Sequence, residues 1–395
     1  MRVAHLSLSD FRNYSAAELE LYPGPNLIVG KNGQGKTNLA EAISYFATLR
    51  SHRVSSDSAM IRAGQTAAIM RMRVAAGERD VVLEAQINRS GPNRAQVNGN
   101  SVRARELTRW FTSIMFAPED LSIVRGEPAG RRRFMDDALI ARLPIAAGVL
   151  ADYERVVRQR TSLLKSARGM GKGAAALQST LEIWDEQLIE HGVKIMLARR
   201  ELVEDLGAPL RLAYTDLVDA DHAPSISLSE SVYEGTGRSD VSRETRDSSE
   251  VASVDVSRET LEADFRRALQ SMRGKELDRG VTLVGPHRDD LSLSLNDLPV
   301  RGYASHGESW SFALALKIAL ASVIRDESPA GDPVIILDDV FAELDRGRRE
   351  RLMSVVSEFE QVIVTAAVES DVPEGLDWHR TEVVAGTLRE RDTVE

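Results

Sequence analysis

The stretch GKNGQGKT, residues 30–37, decides the fold of this chain. It matches the phosphate-loop pattern G-x-x-x-x-G-K-[ST] at every fixed position. The apolar run 27–29 before it predicts a buried strand, and TNLAEAISYFATL after it predicts a helix. Glycines let backbone N–H groups approach phosphate oxygens, and the start of a helix favours an anion. Strand, loop and helix together predict an α/β fold with a nucleotide site, rather than an ordinary glycine-rich turn.

ATP and Mg²⁺ are the cofactors that this loop predicts. Lys36 would bridge the β and γ phosphates of ATP, and the Thr37 hydroxyl would hold Mg²⁺. The other loop positions would cradle the phosphates; they are Gly30, Lys31, Asn32, Gly33, Gln34 and Gly35.

The acidic motif VIILDD, residues 334–339, is the expected partner of the loop. Its apolar residues predict a strand buried on both faces. Asp338 would hold Mg²⁺ directly or through water, and Asp339 would orient or deprotonate the attacking water, which makes Lys36, Asp338 and Asp339 the candidate catalytic residues. Taken alone, the motif is equally typical of a strand that ends in a solvated acidic turn.

A third motif, ASHGESWSFALALKIA, begins at Ala304. Its Ser305, Gly307 and Glu308 resemble the signature of ABC ATPases, which reads roughly LSGGQ. A serine, a glycine backbone and a helix start make another anion site, which in ABC ATPases meets the γ-phosphate held by the other subunit. The motif therefore predicts an ATP-dependent homodimer. A plain helix cap at Ser305 or Ser309 is the alternative.

Two positions near the C-terminus fit the same resemblance. FAELD, residues 341–345, resembles the loop by which ABC subunits touch across the dimer. Thr365 stands where ABC transporters usually have a γ-phosphate-sensing His, and it is a candidate nucleotide contact. The shorter Asp339, where many ABC ATPases have Glu, predicts slow hydrolysis.

Periodicity divides the rest of the chain. Alternating apolar residues predict strands in 1–30 and in 69–100, the latter with a hairpin at Asn98 and Gly99. From about 129 to 218 the spacing is helical, with a loop at 169–174 between two long helices. After 280 strands and helices return, and QVIVTAA is the last strand predicted. We therefore expect an ATPase head formed by 1–125 and 276–395, with a helical lobe at 126–275.

Within the lobe, residues 229–260 are polar and acidic, which predicts a mobile insert. DVSRET occurs there twice, at 240–245 and 255–260. Codons for VSRET can spell the palindrome GTTTCACGTGAAAC, so a constraint on the DNA is one hypothesis, and chance duplication in a tolerant loop is the other. The codons of the gene decide between them.

Composition narrows the class of protein. The 395 residues include no cysteine, which excludes disulfides and thiolate zinc sites. The absence of a long apolar run or signal peptide predicts a cytoplasmic protein without a membrane partner. A net charge of -10 argues against a protein that coats DNA along its whole surface. Lys and Arg nevertheless outnumber Asp and Glu in 125–200, so a local basic patch is expected.

Taken in order, the motifs resemble the RecF family of bacterial recombination mediators, almost end to end. GRRRFMDDAL (130–139), YERVVRQRTSLLK (153–165) and TLVGPHRDDL (282–291) are the most specific parts of the resemblance. DFRNY (10–14) and FAPEDL (116–121) also match. The resemblance implies an ABC-type, Rad50/SMC-like ATPase head with an inserted, mainly helical second lobe.

The same resemblance implies the function. It implies ATP-dependent dimerisation, binding to single- and double-stranded DNA at gaps and junctions, and weak ATP hydrolysis that releases the DNA. It also implies cooperation with RecR and RecO in loading recombinase, roles in replication, repair and the SOS response, and association with the nucleoid. Arg12 and Asn13 would lie near the nucleotide.

The basic helical lobe is where we expect DNA phosphates to bind, without sequence reading. The candidates are Arg131, Arg132, Arg133, Arg155, Arg158 and Arg160. A solvated helix face with local salt bridges is the competing interpretation, since Asp136 and Asp137 lie one turn from the first three.

Two other functions stay open at this point. A transporter ATPase subunit would share the nucleotide motifs, but the missing His and the basic lobe count against it. A nucleotide-gated protein scaffold is compatible with Asp339 and with the acidic insert. An SMC protein would need heptad arms, which the sequence lacks.

Overall fold

The computed structural model describes the chain except for a few positions, which are Ser55, Glu78, 168–173, 235–256, Ala330 and 392–395. The strands are β1 (Arg2–Phe11), β2 (Tyr14–Glu20), β3 (Gly24–Val29), β4 (Ala67–Ala76), β5 (Arg79–Asn88), β6 (Arg94–Val97), β7 (Asn100–Val102), β8 (Ser113–Phe116), β9 (Ser225–Ser229), β10 (Asp290–Leu295), β11 (Leu298–Pro299), β12 (Val334–Asp338), β13 (Gln361–Ala366), β14 (His379–Val384) and β15 (Thr387–Arg391). The helices are α1 (Lys36–Thr48), α2 (Leu121–Arg125), α3 (Pro128–Arg142), α4 (Ala146–Ala167), α5 (Ala174–Val218), α6 (Arg258–Arg279), α7 (Val300–Tyr303), α8 (His306–Glu327) and α9 (Arg346–Val356).

An antiparallel sheet, the outer sheet, has the order β2-β1-β4-β5-β6-β7. Its long strands alternate between buried and less buried residues, as in β5, where Val81, Leu83, Ala85 and Ile87 are buried and the residues between them are partly exposed. This pattern is typical of a sheet with one face on the core. The β6–β7 hairpin pairs Val97 with Asn100 and confirms the turn predicted at 98–99.

A second sheet, the inner sheet, has the order β15-β14-β3-β13-β12-β8 and is parallel except for its edge strand β15. Its central strands are buried on both faces: α1 and the outer sheet cover one, and α8 covers the other. Strands β3 and β8 come from the N-terminal part of the chain, and β12 to β15 come from the C-terminal part. The sheet is therefore completed only after the helical segment. The fold is thus an ABC-type ATPase head, with mixed α/β content, interrupted by a helical lobe.

Helices α4, α5 and α6 form the core of that lobe. Tyr153, Leu188, Val193 and Phe265 pack in a common apolar cluster. The small antiparallel sheet β11-β10-β9 joins the lobe to the head, because β9 of the lobe segment pairs with β10 of the C-terminal head segment.

The structure corrects several sequence predictions. QVIVTAA is not the last strand, because β14 and β15 follow it and extend the inner sheet. The predicted mobile insert 229–260 is wrong at both ends, since Ser229 ends β9 and Ser257 caps α6, and its residues 235–256 lie outside the described part of the chain. The first DVSRET copy and nearly all of the predicted loop 169–174 lie outside the described residues. The predicted lobe boundary at 275 falls inside α6, which ends at Arg279.

One helix of the described chain, α8, is long and apolar enough to cross a membrane, which the sequence analysis did not expect. However, 78% of its most apolar window is buried inside the fold. Helix α8 is therefore a core helix of the head.

Candidate nucleotide site

The phosphate loop connects β3 to α1 at one end of the inner sheet. Gly35 precedes α1 with φ 119°, a conformation that favours glycine. A Cβ at Gly35 would lie 2.5 Å from Tyr14 Oη, and a Cβ at Gly30 would lie 2.4 Å from the carbonyl oxygen of Val383. Both positions therefore require glycine, in agreement with the pattern.

Lys36 and the two aspartates meet at this end of the sheet. The Lys36 side chain is buried, and its Nζ lies 3.8 Å from Asp339 Oδ1. Burial raises the pKa of Asp339, and the charge of Lys36 opposes that shift. The backbone of Asp339 has φ 50°, in the left-handed region that Asp and Asn tolerate better than most residues. The fold thus brings the predicted catalytic residues together.

Asp338 and Thr37 fit a shared Mg²⁺ ion. Burial raises the pKa of Asp338 to about 6, while hydrogen bonds from Thr365 and Thr37 act in the opposite direction. A cation would favour the charged carboxylate at this buried position. Within the described part of the chain no group of three His, Cys, Asp or Glu residues could hold a metal. This is compatible with Mg²⁺ held by one carboxylate, one hydroxyl and the nucleotide phosphates.

Thr365 lies at the end of the strand as predicted, but its environment differs from that expected of a nucleotide contact. It is fully buried, and its Oγ1 donates to Asp338 Oδ1 at 2.6 Å. The same oxygen accepts the backbone N–H of Asp339 at 3.0 Å. Thr365 is therefore a positioning residue that joins the two aspartates, and it is not exposed to a nucleotide.

Arg12 and Asn13 brace the loop in different ways. The Asn13 side chain donates to the Gln34 carbonyl at 2.9 Å and accepts from Asn38 at 2.7 Å. Arg12 forms two hydrogen bonds with the buried carboxylate of Glu41 on α1, at 2.7 and 2.5 Å. Its charge is thus already paired, so Arg12 supports α1 while Asn13 holds the loop itself.

Sequence reasoning missed the contacts that close the loop from outside. Gln34 Oε1 accepts the backbone N–H of Ala385, in the turn between β14 and β15. Arg53 donates to Asn38 Oδ1 at 3.0 Å, at the start of α1. Arg53 is close to the loop in sequence, so its contact could have been suspected. Ala385 is remote in sequence and gave no such indication.

The signature-like motif forms the start of α8. Ser305 Oγ accepts the backbone N–H of Glu308 at 3.2 Å, and Glu308 Oε2 accepts that of Ser305 at 2.8 Å. This capping box matches the plain-cap alternative, and Ser305 is nevertheless exposed. A Cβ at Gly307 would lie 2.6 Å from Arg348 Nη1. No hydrogen bond or ion pair of the described residues joins this cap to the phosphate loop of the same chain.

Two of the predicted DNA-binding arginines point inward instead. Arg131 is buried and binds Asp290 through two hydrogen bonds of 2.7 and 2.8 Å. The Arg160 side chain is fully buried between Asp185 and Glu276, at 2.8 and 2.5 Å. Neither guanidinium is available to a phosphate, so these two predictions are wrong.

The other arginines reach the surface. The side chains of Arg155 and Arg158 are 64% and 67% exposed and pair with acidic residues of their own helix. Arg133 is 42% exposed, and Arg132 is partly buried. The surface candidates are therefore Arg132, Arg133, Arg155 and Arg158.

The RecF/RecN/SMC N terminal domain family matches residues 2–390 of the chain. The DNA replication and repair protein RecF of Clavibacter sepedonicus is 52% identical over 398 residues, covering 100% of this chain and 96% of that protein. RecF of Leifsonia xyli subsp. xyli (strain CTCB07) is 51% identical over 390 residues, covering 99% and 100%.

Solved structures agree with this family. The recombination mediator protein RecF with ATP, from the RecFOR pathway, superimposes with a TM-score of 0.84 at 26% identity, covering 98% of this chain and 97% of that one. The Smc head bound to the C-winged helix domain of ScpA shares the fold alone, with a TM-score of 0.55 at 14% identity over 99% and 97% of the two chains. From motifs, fold and relatives alike, the chain belongs to the RecF family of ABC-type ATPases.

Proposed function

We propose that this protein is an ATP-gated, DNA-binding recombination mediator with slow ATP hydrolysis. The observation that carries the proposal is the juxtaposition of Lys36, Thr37, Asp338 and Asp339 around the phosphate loop, with an exposed signature-like cap elsewhere on the head. Such a divided site is complete only when two copies meet.

The chemistry follows from the residues present. Lys36 and the loop N–H groups bind the triphosphate, and Thr37 with Asp338 would hold Mg²⁺, which neutralises the phosphate charge. Asp339 accepts a proton from the attacking water. Because Asp339 is one methylene shorter than Glu, its reach to that water is reduced and hydrolysis is slow.

ATP would act on DNA binding through the dimer. The γ-phosphate held by one copy accepts hydrogen bonds from the Ser305 cap of the other, so ATP shifts the population toward the dimer. The dimer presents the helical lobes of both copies to DNA phosphates, with Arg132, Arg133, Arg155 and Arg158 as candidates. Hydrolysis removes the γ-phosphate, and the copies separate from each other and from DNA.

The partners follow by analogy with the relatives. Structures of RecF in the RecFOR pathway support cooperation of this chain with RecR and RecO. Gapped or junction DNA as the place of this cooperation follows from the family resemblance alone. We place this activity in the cytoplasm, at the nucleoid. Membership in the RecF family leaves the transporter interpretation without support. The scaffold alternative keeps one supporting observation, Asp339 in place of Glu, and DNA binding that does not depend on ATP would favour it.

Replacement of Ser305 by Arg tests the divided site. We expect Ser305→Arg to weaken the ATP-dependent dimer about a hundredfold, because the larger side chain occupies the place of the partner's γ-phosphate. ATP binding by the monomer should not change. Sedimentation with and without ATP measures the fractions of monomer and dimer.

The matched control is Ser257→Arg at the cap of α6, where Ser257 Oγ accepts the Thr260 N–H at 3.3 Å. Both variants lose a serine cap at a cost of about 1 kcal/mol. An undiminished dimer for Ser305→Arg, or equal loss in both variants, would show that the cap has no role between copies.

A further inference from the structure

A cleft of about 350 Å³ separates the ATPase head from the helical lobe. One wall is the segment after α1, with Arg50, Ser51 and Val54, and the other is α3, with Arg132 and Arg133. No residue of the phosphate loop and neither aspartate of the nucleotide site lines it. The cleft is therefore distinct from the nucleotide site.

The guanidinium groups in the cleft have few carboxylate partners. Arg50 and Arg133 share the single carboxyl group of Asp137, at 4.0 and 3.8 Å. Arg132 forms no ion pair among the described residues, and its Nη1 donates only to the Asp289 carbonyl at 2.8 Å. Arg50 and Arg133 thus share one carboxyl group, and Arg132 has none in the described part of the chain.

The acidic residues of the cleft have partners of their own. Asp136 pairs with Arg199 at 2.7 Å, and Glu154 lies 3.5 Å from Arg158. Asp57 accepts a hydrogen bond from Asn93 at 2.9 Å. Asp136 and Glu154 are thus paired with arginines that do not line the cleft, whereas Asn93 is neutral and does not compensate Asp57. Asp57 and Asp137 together leave one of the three cleft guanidinium groups without a carboxylate counterpart among the described residues.

Two further features favour an anion here. Burial lowers the pKa of Arg132; the charges of Asp290 and Asp289 oppose this shift, and those of Arg199 and Arg288 add to it. A bound anion would offset that repulsion. Ala129, in the first turn of α3, also lines the cleft, so the positive end of the helix dipole lies beside it.

We propose that this cleft binds a backbone phosphate of DNA, held jointly by the head and the helical lobe. Arginine recognises phosphate through paired hydrogen bonds. The Arg50 and Arg133 side chains are 39% and 42% exposed, so a phosphate within a DNA strand can reach them. The inference rests on the proposed function, and it places the DNA contact between the lobes rather than on the outer face of α4.

The test introduces a carboxylate into the cleft without removing a contact. Ala129 is exposed, and an acidic residue in the first turn of a helix is stabilising, so Ala129→Glu should fold normally. The matched control is Ala263→Glu on α6, which is exposed and does not line the cleft. Thermal unfolding of both variants checks the fold.

With ATP present, we expect Ala129→Glu to bind duplex DNA about tenfold more weakly than the wild-type chain. The slope of log affinity against log salt should fall by about one, as for one lost phosphate contact. Ala263→Glu should match the wild type in both. ATP affinity, measured with a fluorescent nucleotide, should be equal in all three proteins.

The other outcomes overturn the proposal in distinguishable ways. If the wild type binds DNA with ATP and Ala129→Glu equals its control, the cleft assignment alone is wrong. If the wild type binds no DNA with ATP, the proposed function fails and the assignment fails with it. If inorganic phosphate stabilises the wild type but not Ala129→Glu, while both bind DNA equally, the cleft holds free phosphate and not DNA.

Discussion

Replacement of Asp339 by Asn is expected to slow ATP hydrolysis by about 10²–10⁴-fold while ATP binding persists. The amide cannot accept the proton of the attacking water, but it has nearly the same shape, and Asn tolerates the φ of 50° at this position. Dimers formed on ATP should therefore persist instead of separating. Single-turnover hydrolysis and sedimentation after ATP addition measure the two effects.

Asp339→Glu is the informative companion variant. It keeps a carboxylate and extends its reach by one methylene, so hydrolysis should be retained or faster. Asp339→Asn at the wild-type rate would mean that another group activates the water, and loss of ATP binding in Asp339→Asn would mean that the carboxylate serves the nucleotide instead.

Replacement of Arg160 by Leu is expected to lower the free energy of unfolding by about 3–5 kcal/mol. Arg160 and Glu276 are both fully buried and lie 2.5 Å apart. Removal of the guanidinium leaves Glu276 as a buried charge without its ion-pair partner, although the backbone N–H of Leu283 still donates to it at 2.8 Å. Chemical denaturation at neutral pH, followed by circular dichroism, measures the loss.

Arg158→Leu on the same helix is the control for Arg160. The Arg158 side chain is 67% exposed, and a surface pair contributes at most about 1 kcal/mol. Equal stability losses in the two variants would contradict the buried network. A folded Arg160→Leu protein with weakened DNA binding would restore Arg160 as a DNA contact.

Helical phase explains why some arginines were misassigned from the sequence. Arg160 lies seven positions after Tyr153 and four before Leu164, both buried in the structure, so it belongs to the apolar face of α4. Arg131 likewise lies three and four positions before the buried Phe134 and Met135. The assignment to DNA relied on the number of clustered arginines and did not consider their positions on the helix. The helical spacing in the same sequence would have placed both residues on a buried face.

The nucleotide loop was predictable because its signals are local. Strand, glycines, lysine and helix follow one another within one short segment, and the fold places them as expected. Strand β14 and the edge strand β15 both carry charged residues, which are common on edge strands such as β15, and both therefore resembled loops. Thr365 lies in a strand buried on both faces, where alternation gives no direction for a side chain.

Contacts between distant segments had no signal in a single sequence. Ala385 reaches Gln34 only because β14 pairs with β3 in the inner sheet. The cleft between Arg50 and Arg133 likewise depends on how the helical lobe packs on the head. Such juxtapositions are set by tertiary structure, so only the three-dimensional fold reveals them.

Binding to gapped duplex DNA across a salt series, with ATP, with ADP and without nucleotide, tests the ATP-gated mechanism most directly. Lys36→Met, which removes the buried cation of the phosphate loop, is the control. We predict binding only with ATP, weakening as salt rises and absent in Lys36→Met. Equal binding in all three nucleotide states, or unchanged binding by Lys36→Met, would contradict a DNA-binding protein gated by ATP.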